Sequence, residues 1–110
     1  MSGTVIDVTD ADFDSVVVQV PGPVLAVFRA EWSSVCLMLD PVLEEVAKEY
    51  AGRLTIARLD IDEWNSRKTP PKYNITAIPT LHVFKGGEIV NTWIGPTNKA
   101  RVVATVKPYL

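Results

Sequence analysis

Cys36 is the only cysteine in the chain and His82 the only histidine, and most of the covalent or metal chemistry open to this sequence turns on these two residues. A single thiol cannot close an internal disulfide. A zinc site built from one thiolate and one imidazole would have to be completed by carboxylates, a donor set that structural zinc rarely accepts. No metal and no other cofactor is expected. A hydroxyl nucleophile would need a base in contact with it, since it stays protonated near neutral pH, and His82 is the one imidazole available. The acidic pairs Asp60/Asp62 and Glu44/Glu45 read as solvated surface or strand-end charge.

The elements that must position these residues are legible from spacing. Thr4 to Val8 reads as a short alternating strand. Asp10 then caps a helical stretch carrying Phe13, Val16, Val17 and Val20, stopped by Pro21-Gly22-Pro23. Val24 to Phe28 is an unbroken apolar run of the kind found in a central strand covered on both faces. Cys36, Leu39, Leu43, Val46 and Tyr50 recur at helical steps, which places Cys36 on the buried stripe of a long helix. Glu44 and Lys48 form an i,i+4 pair on its wet side, Gly52 supplies the C-terminal cap, and Pro41 predicts a kink about one turn before it. Leu54 to Asp60 is the next strand. The polar stretch 62–74 holds a short helix opened near Asn65 and closed before Pro70. Pro79 to Phe84 is a strand, Lys85 to Glu88 a hairpin turn, and Ile89 to Ile94 its return strand. Gly95-Pro96 punctuates, and Thr97 caps a last helix with Val102, Val103 and Val106 inward, ended by Pro108. This order calls for a mixed sheet with helices on both faces.

Composition narrows the function classes. The 110 residues suit one domain, spanning 1–110, and 47% hydrophobic residues can fill its core. The net charge is −2, and the 11 basic residues are scattered from Arg29 to Lys107. Without a basic stripe, nucleic acid is not an expected partner. The start of the chain has no positive flank and no apolar stretch of signal length, and the run Val16-Val17-Val18 is broken at Gln19. No membrane association is expected, and a soluble, cytoplasmic protein is.

Several of these segments together resemble the thioredoxin family. Phe28-Arg29-Ala30-Glu31-Trp32-Ser33-Ser34-Val35-Cys36 is similar to its active-site segment, in which Trp precedes Cys-Gly-Pro-Cys. Pro41 stands where the family has its helix-kinking proline. Ile78-Pro79-Thr80 is similar to its cis-proline loop, Phe84-Lys85-Gly86-Gly87-Glu88 to its hairpin, and Gly95 to its groove glycine, with Lys72-Tyr73-Asn74-Ile75 a further matching stretch. The resemblance runs through nearly the whole chain, with about two extra residues around 63–71. It implies an α/β thioredoxin-like fold: a central mixed five-stranded sheet flanked by four helices.

The departures bear on function. By the resemblance, Ser33 replaces the nucleophilic first cysteine and Cys36 occupies the second, resolving position. Ser34 and Val35 replace Gly-Pro, Val27 the buried aspartate that assists proton transfer, Arg29 a tryptophan and Leu37 a lysine. Dithiol exchange needs an attacking thiolate and a second thiol that releases the product. Ser33 is a poor substitute for the first, because His82 lies three residues along a strand from Pro79, roughly 10 Å away. As a helix N-cap, by contrast, Ser33 would stabilise by about 1 kcal/mol over alanine.

Cys36 has two readings. Its helical phase makes it a buried, quiet thiol, while its place in the first turn of a helix would favour a thiolate. The second reading makes it a monothiol that forms mixed disulfides and depends on an external thiol to resolve them. His82 is expected in the core with one nitrogen satisfied by a neighbour, Trp32 exposed beside the helix start, and Trp93 packed. The family's peptide groove would map onto Trp32, Ser34, Val35, Ala77, Ile78, Pro79 and Gly95, with Ile78-Pro79 cis. The expected partner is therefore a protein or peptide at this groove, with a thioredoxin reductase or a low-molecular-weight thiol as a further candidate. Three functions remain in competition: a partner-binding thioredoxin-like protein impaired in the dithiol cycle, a monothiol oxidoreductase using Cys36, and an ordinary family member carrying an introduced Cys-to-Ser change. The last leaves Val27, Arg29, Val35 and Leu37 unexplained.

Overall fold

The computed structural model describes residues 5–110, so Thr4, the expected first strand residue, lies outside the described residues. The strands are β1 (Val5–Asp7), β2 (Val24–Arg29), β3 (Thr55–Asp60), β4 (Thr80–Lys85) and β5 (Glu88–Ile94). They form one sheet in the order β1-β3-β2-β4-β5. β3 runs parallel to both β1 and β2, β4 antiparallel to β2, and β5 antiparallel to β4. Around it lie a π-helical turn (Asp14–Val18) and the helices α1 (Ser34–Glu49), α2 (Thr69–Lys72) and α3 (Lys99–Val106). The expected five-stranded mixed sheet with four helices is the architecture found.

All six residues of β2 are buried, as its unbroken apolar run requires. Alternation along the strand feeds two cores. Leu25 and Val27 meet Leu39, Leu43 and Val46 of α1, together with Val102 and Val106 of α3. Val24, Ala26 and Phe28 face the other way, toward Phe13, Val17, Leu59 and Phe84. Each fully buried Leu or Phe stabilises by roughly 1.5–3 kcal/mol through removal of apolar surface from water.

Four local expectations are corrected. Asp10 does not cap the first helical segment. Its carboxylate instead accepts from the Lys68 amide at 3.0 Å, the Thr69 amide at 2.9 Å and the Thr69 hydroxyl at 2.6 Å, and so caps α2 from across the chain. Desolvation alone would raise the Asp10 pKa, but these hydrogen bonds hold it below the usual value. The helix placed between Asn65 and Pro70 begins only at Thr69 and contains Pro70 and Pro71 in its first turn, where a missing N–H is harmless. The cap of α3 is Asn98, which accepts from the Arg101 amide at 2.9 Å, rather than Thr97. α1 ends at Glu49 with Tyr50 as its cap, and Gly52, at φ +83°, turns the chain two residues later.

Candidate functional site

The site forms where β2 gives way to α1. Ala30 is buried, and Glu31 and Trp32 then emerge into solvent. Ser33 has extended backbone (φ −92°, ψ 116°), and its Oγ accepts from the Cys36 amide at 3.3 Å. This is N-cap geometry, satisfying one of the amides that a helix start leaves without a partner. The apolar stripe of α1 turns Cys36 inward, where it is 1% exposed. The side chains left outside on the first turns of α1 are apolar: Val35, Leu37 and Met38 are all exposed.

Beneath α1, at the ends of the parallel strands, lies a charge network rather than an apolar layer. Arg29, only 6% exposed, lies 3.1 Å from Asp40 Oδ2 on α1 and 3.6 Å from Asp60 Oδ2 on β3, and its Nε has no partner. Arg58 on β3 hydrogen-bonds Asp7 at 2.8 Å and lies 3.2 Å from Asp40 Oδ1 without hydrogen-bond alignment. The Asp7 hydrogen bond and the carboxylates around it raise the Arg58 pKa against desolvation. Val27, 1% exposed, brings no carboxylate toward α1.

His82 lies on the other side of the sheet. Its ring centroid is 5.8 Å from that of Phe28 and 6.3 Å from that of Phe84, both in the core facing away from α1. Nδ1 is 2.9 Å from the Thr92 hydroxyl, while Nε2 is buried without a partner. Burial lowers its pKa, favouring the neutral imidazole. With the sheet between them, His82 cannot act as a base for Ser33.

The residues expected to form a groove fall into three groups. Trp32, Ala77 and Ile78 come together in one trough, completed by Ile61, Ile75 and Thr76. Pro79, which follows a cis Ile78-Pro79 bond, is buried, and its carbonyl accepts from the Gly95 amide at 2.9 Å. Gly95 has φ +100°, a conformation that favours glycine. The Thr80 hydroxyl donates to the Ala77 carbonyl at 2.6 Å, tying the loop down. Val35 lies apart from the trough, in a separate depression with Met38, Val42, Pro96 and Thr97, and Ser34 is exposed at the first turn of α1. Trp93 packs as expected, its indole donating to the Pro96 carbonyl at 3.1 Å beneath the Arg101 guanidinium.

The sequence reading missed three residues of this surface. Asp62 accepts from the Trp32 indole N–H and so fixes the ring over the trough. Ile61 supplies one wall; its signal was an apolar residue set between two aspartates. Trp64 is 83% exposed, the most exposed of the large hydrophobic residues described.

Among the described residues, no three His, Cys, Asp or Glu side chains gather as a metal site, and no helix is long and apolar enough to cross a membrane.

Comparison with known proteins agrees with this geometry. The family description Thioredoxin matches residues 4–108. The chain is 44% identical over 104 residues to a thioredoxin of Pseudomonas aeruginosa, covering 94% of each chain. It is equally similar to a thioredoxin of Acidithiobacillus ferridurans, at 44% over 104 residues, and is 41% identical over 103 residues to one of Allochromatium vinosum. A sheet of this order, a thiol at the head of its long helix and a match running almost end to end together place the chain in the thioredoxin family of redox proteins.

Proposed function

We propose that this thioredoxin-family chain is impaired as a dithiol protein-disulfide reductase and acts by holding a protein or peptide partner at the trough beside Trp32. The observation that carries the reading is the state of its one thiol. Cys36 is buried, and the position three residues before it, where the family places its attacking cysteine, is a serine engaged as a helix cap. A mixed disulfide formed at Cys36 would have no second thiol in the chain to resolve it. Val27 in place of a carboxylate removes a proton acceptor as well, and the imidazole lies across the sheet. The apolar trough is untouched by these changes, so binding can outlast catalysis. The cytoplasm, where thioredoxin reductase and small thiols operate, is the compartment this reading assigns, with either as a possible exchange partner.

Insulin reduction with thioredoxin reductase and NADPH tests the proposal. No turnover above the protein-free rate is the expected result, and sustained turnover by the unmodified chain overturns it. Alkylation of Cys36 in the native protein separates it from the monothiol reading. Modification should stay slow until the chain is denatured, whereas rapid native alkylation would transfer the activity to Cys36 and an external thiol.

A further inference from the structure

The wall that carries Trp32 and Ile61 has a second side. Glu31 precedes Trp32 and Asp60 precedes Ile61, and both line a polar hollow with Asp7, Arg29, Arg58 and Glu63. Trough and hollow are therefore neighbours that share two short stretches of backbone, pinned together where the Ile61 amide donates to the Arg29 carbonyl at 2.9 Å.

The two depressions differ in chemistry. The trough is lined by Trp32, Ile61, Ile75, Ala77 and Ile78. In the hollow, the guanidiniums of Arg29 and Arg58 are already engaged with Asp7, Asp40 and Asp60. Glu31 and Glu63 are exposed at its rim and have no ion-pair partner among the described residues. Carboxylates thus outnumber cations around the hollow. Among the exposed cations of the next turn, the Arg67 guanidinium donates to the Asp62 carbonyl at 3.2 Å and keeps its charge, one cation against the exposed carboxylates of Glu31, Asp62 and Glu63, while Lys68 lines a separate depression with Asp10. Trp64 follows Glu63 and offers an exposed aromatic ring.

We infer that this surface selects its partner by charge: an extended segment whose apolar side chain enters the trough and whose adjacent Lys or Arg crosses the Trp32 wall to Glu31 and Glu63. The inference rests on the peptide-binding reading above and adds the chemical class of the partner. A basic side chain meets unpaired carboxylates there, and its aliphatic stem has an indole to lie against. An acidic neighbour meets like charge and is disfavoured.

The test uses three short peptides with a central isoleucine flanked on both sides by Lys, by Ser or by Glu, titrated calorimetrically into the full chain. At low salt the Lys peptide should bind about fivefold to tenfold more tightly than the Glu peptide, the gain of two partly exposed ion pairs and the like-charge repulsion avoided. Above about 0.5 M salt, where screening is short-ranged, the ratio should fall toward one. A Glu31→Lys, Glu63→Lys variant should reverse the order of the Lys and Glu peptides. Equal affinity for all three peptides, abolished by Ala77→Arg in the trough, would overturn the charge inference and leave peptide binding standing. No binding of any of the three would overturn peptide binding itself.

Discussion

On the side of β2 that faces away from α1, Phe28 meets Phe13, Tyr73 and His82 at ring-centroid distances of 5.8, 6.4 and 5.8 Å. On the side that faces α1, the same strand passes from Leu25 and Val27 to a buried arginine clamped between carboxylates of α1 and β3. The first side is a largely buried aromatic layer with one imidazole in it. The second is an apolar core that becomes ionic where the strands end and the site begins. Apolar packing tolerates volume-conserving exchanges at small cost, whereas buried charge is stable only when each member has its partner. Val27 and Arg29, with Ser33 above them, all sit on the ionic side or at its edge.

Removing the centre of the aromatic layer should have the largest effect. Phe28 is fully buried, and Phe28→Ala is expected to destabilise by about 3–5 kcal/mol, combining lost transfer energy with the cavity left behind. Guanidinium denaturation measures this, and a loss below about 1 kcal/mol would show that the layer collapses to fill the gap. Arg29→Met comes next. It leaves Asp60, whose side chain is 16% exposed, without a cation and Asp40, 26% exposed, with Arg58 alone, so solvent relieves part of the penalty and a loss of about 1–3 kcal/mol is expected. Adding Asp60→Asn should recover part of that loss, because the carboxylate left without a cation is then neutral while its oxygen still accepts from the Asp62 amide. If the double variant is no more stable than Arg29→Met, the network is not the coupled unit described.

Much of this contrast was visible in the sequence, and the part that was not has a physical cause. The run Val24–Phe28 and the helical phase of Cys36, Leu39, Leu43 and Val46 announced a covered strand and an inward thiol, because burial imposes periodicity on neighbours in sequence. Ser33 and Val27 could be singled out for a different reason, each sitting inside a run of consecutive residues that resembles a family motif. The partners of Arg29 were not: Asp40 lies 11 residues away and Asp60 on another strand, and no spacing rule links a strand residue to a helix crossing above it. Asp10 misled for a related reason. Its sequence position suited a local cap, but a carboxylate caps whichever helix start reaches it, and Lys68 and Thr69 arrive from 58 and 59 residues away. The trough was half legible, since Trp32, Ala77 and Ile78 follow a family pattern, while Ile61 and Asp62 were hidden in a polar stretch.

The smallest effect belongs to the one titratable group in the aromatic layer. Burial lowers the His82 pKa in the folded chain below its ordinary 6.5, and Thr92 engages only one of its nitrogens. Below pH 6.5 the unfolded chain therefore takes up a proton that the folded chain resists, so ν_U exceeds ν_N and stability rises with pH. The stabilising contribution of neutral His82 is fully present above about pH 6.5 and is lost as pH falls from there through the folded pKa, at a slope of at most about 1.4 kcal/mol per pH unit. Asp10, with its pKa held below the ordinary 3.8, loses its contribution only as pH falls through that lower range, outside the interval from pH 5 to pH 7.5. Thermal unfolding between pH 5 and pH 7.5 should show a falling Tm on the acid side in the unmodified chain and a flatter profile in His82→Gln, which keeps a polar group beside Thr92 but cannot titrate. An unchanged slope in that variant would mean that the imidazole is protonated as readily inside the aromatic layer as in water. The layer would then be open to water, and the contrast between the two sides of β2 would fail on its aromatic side.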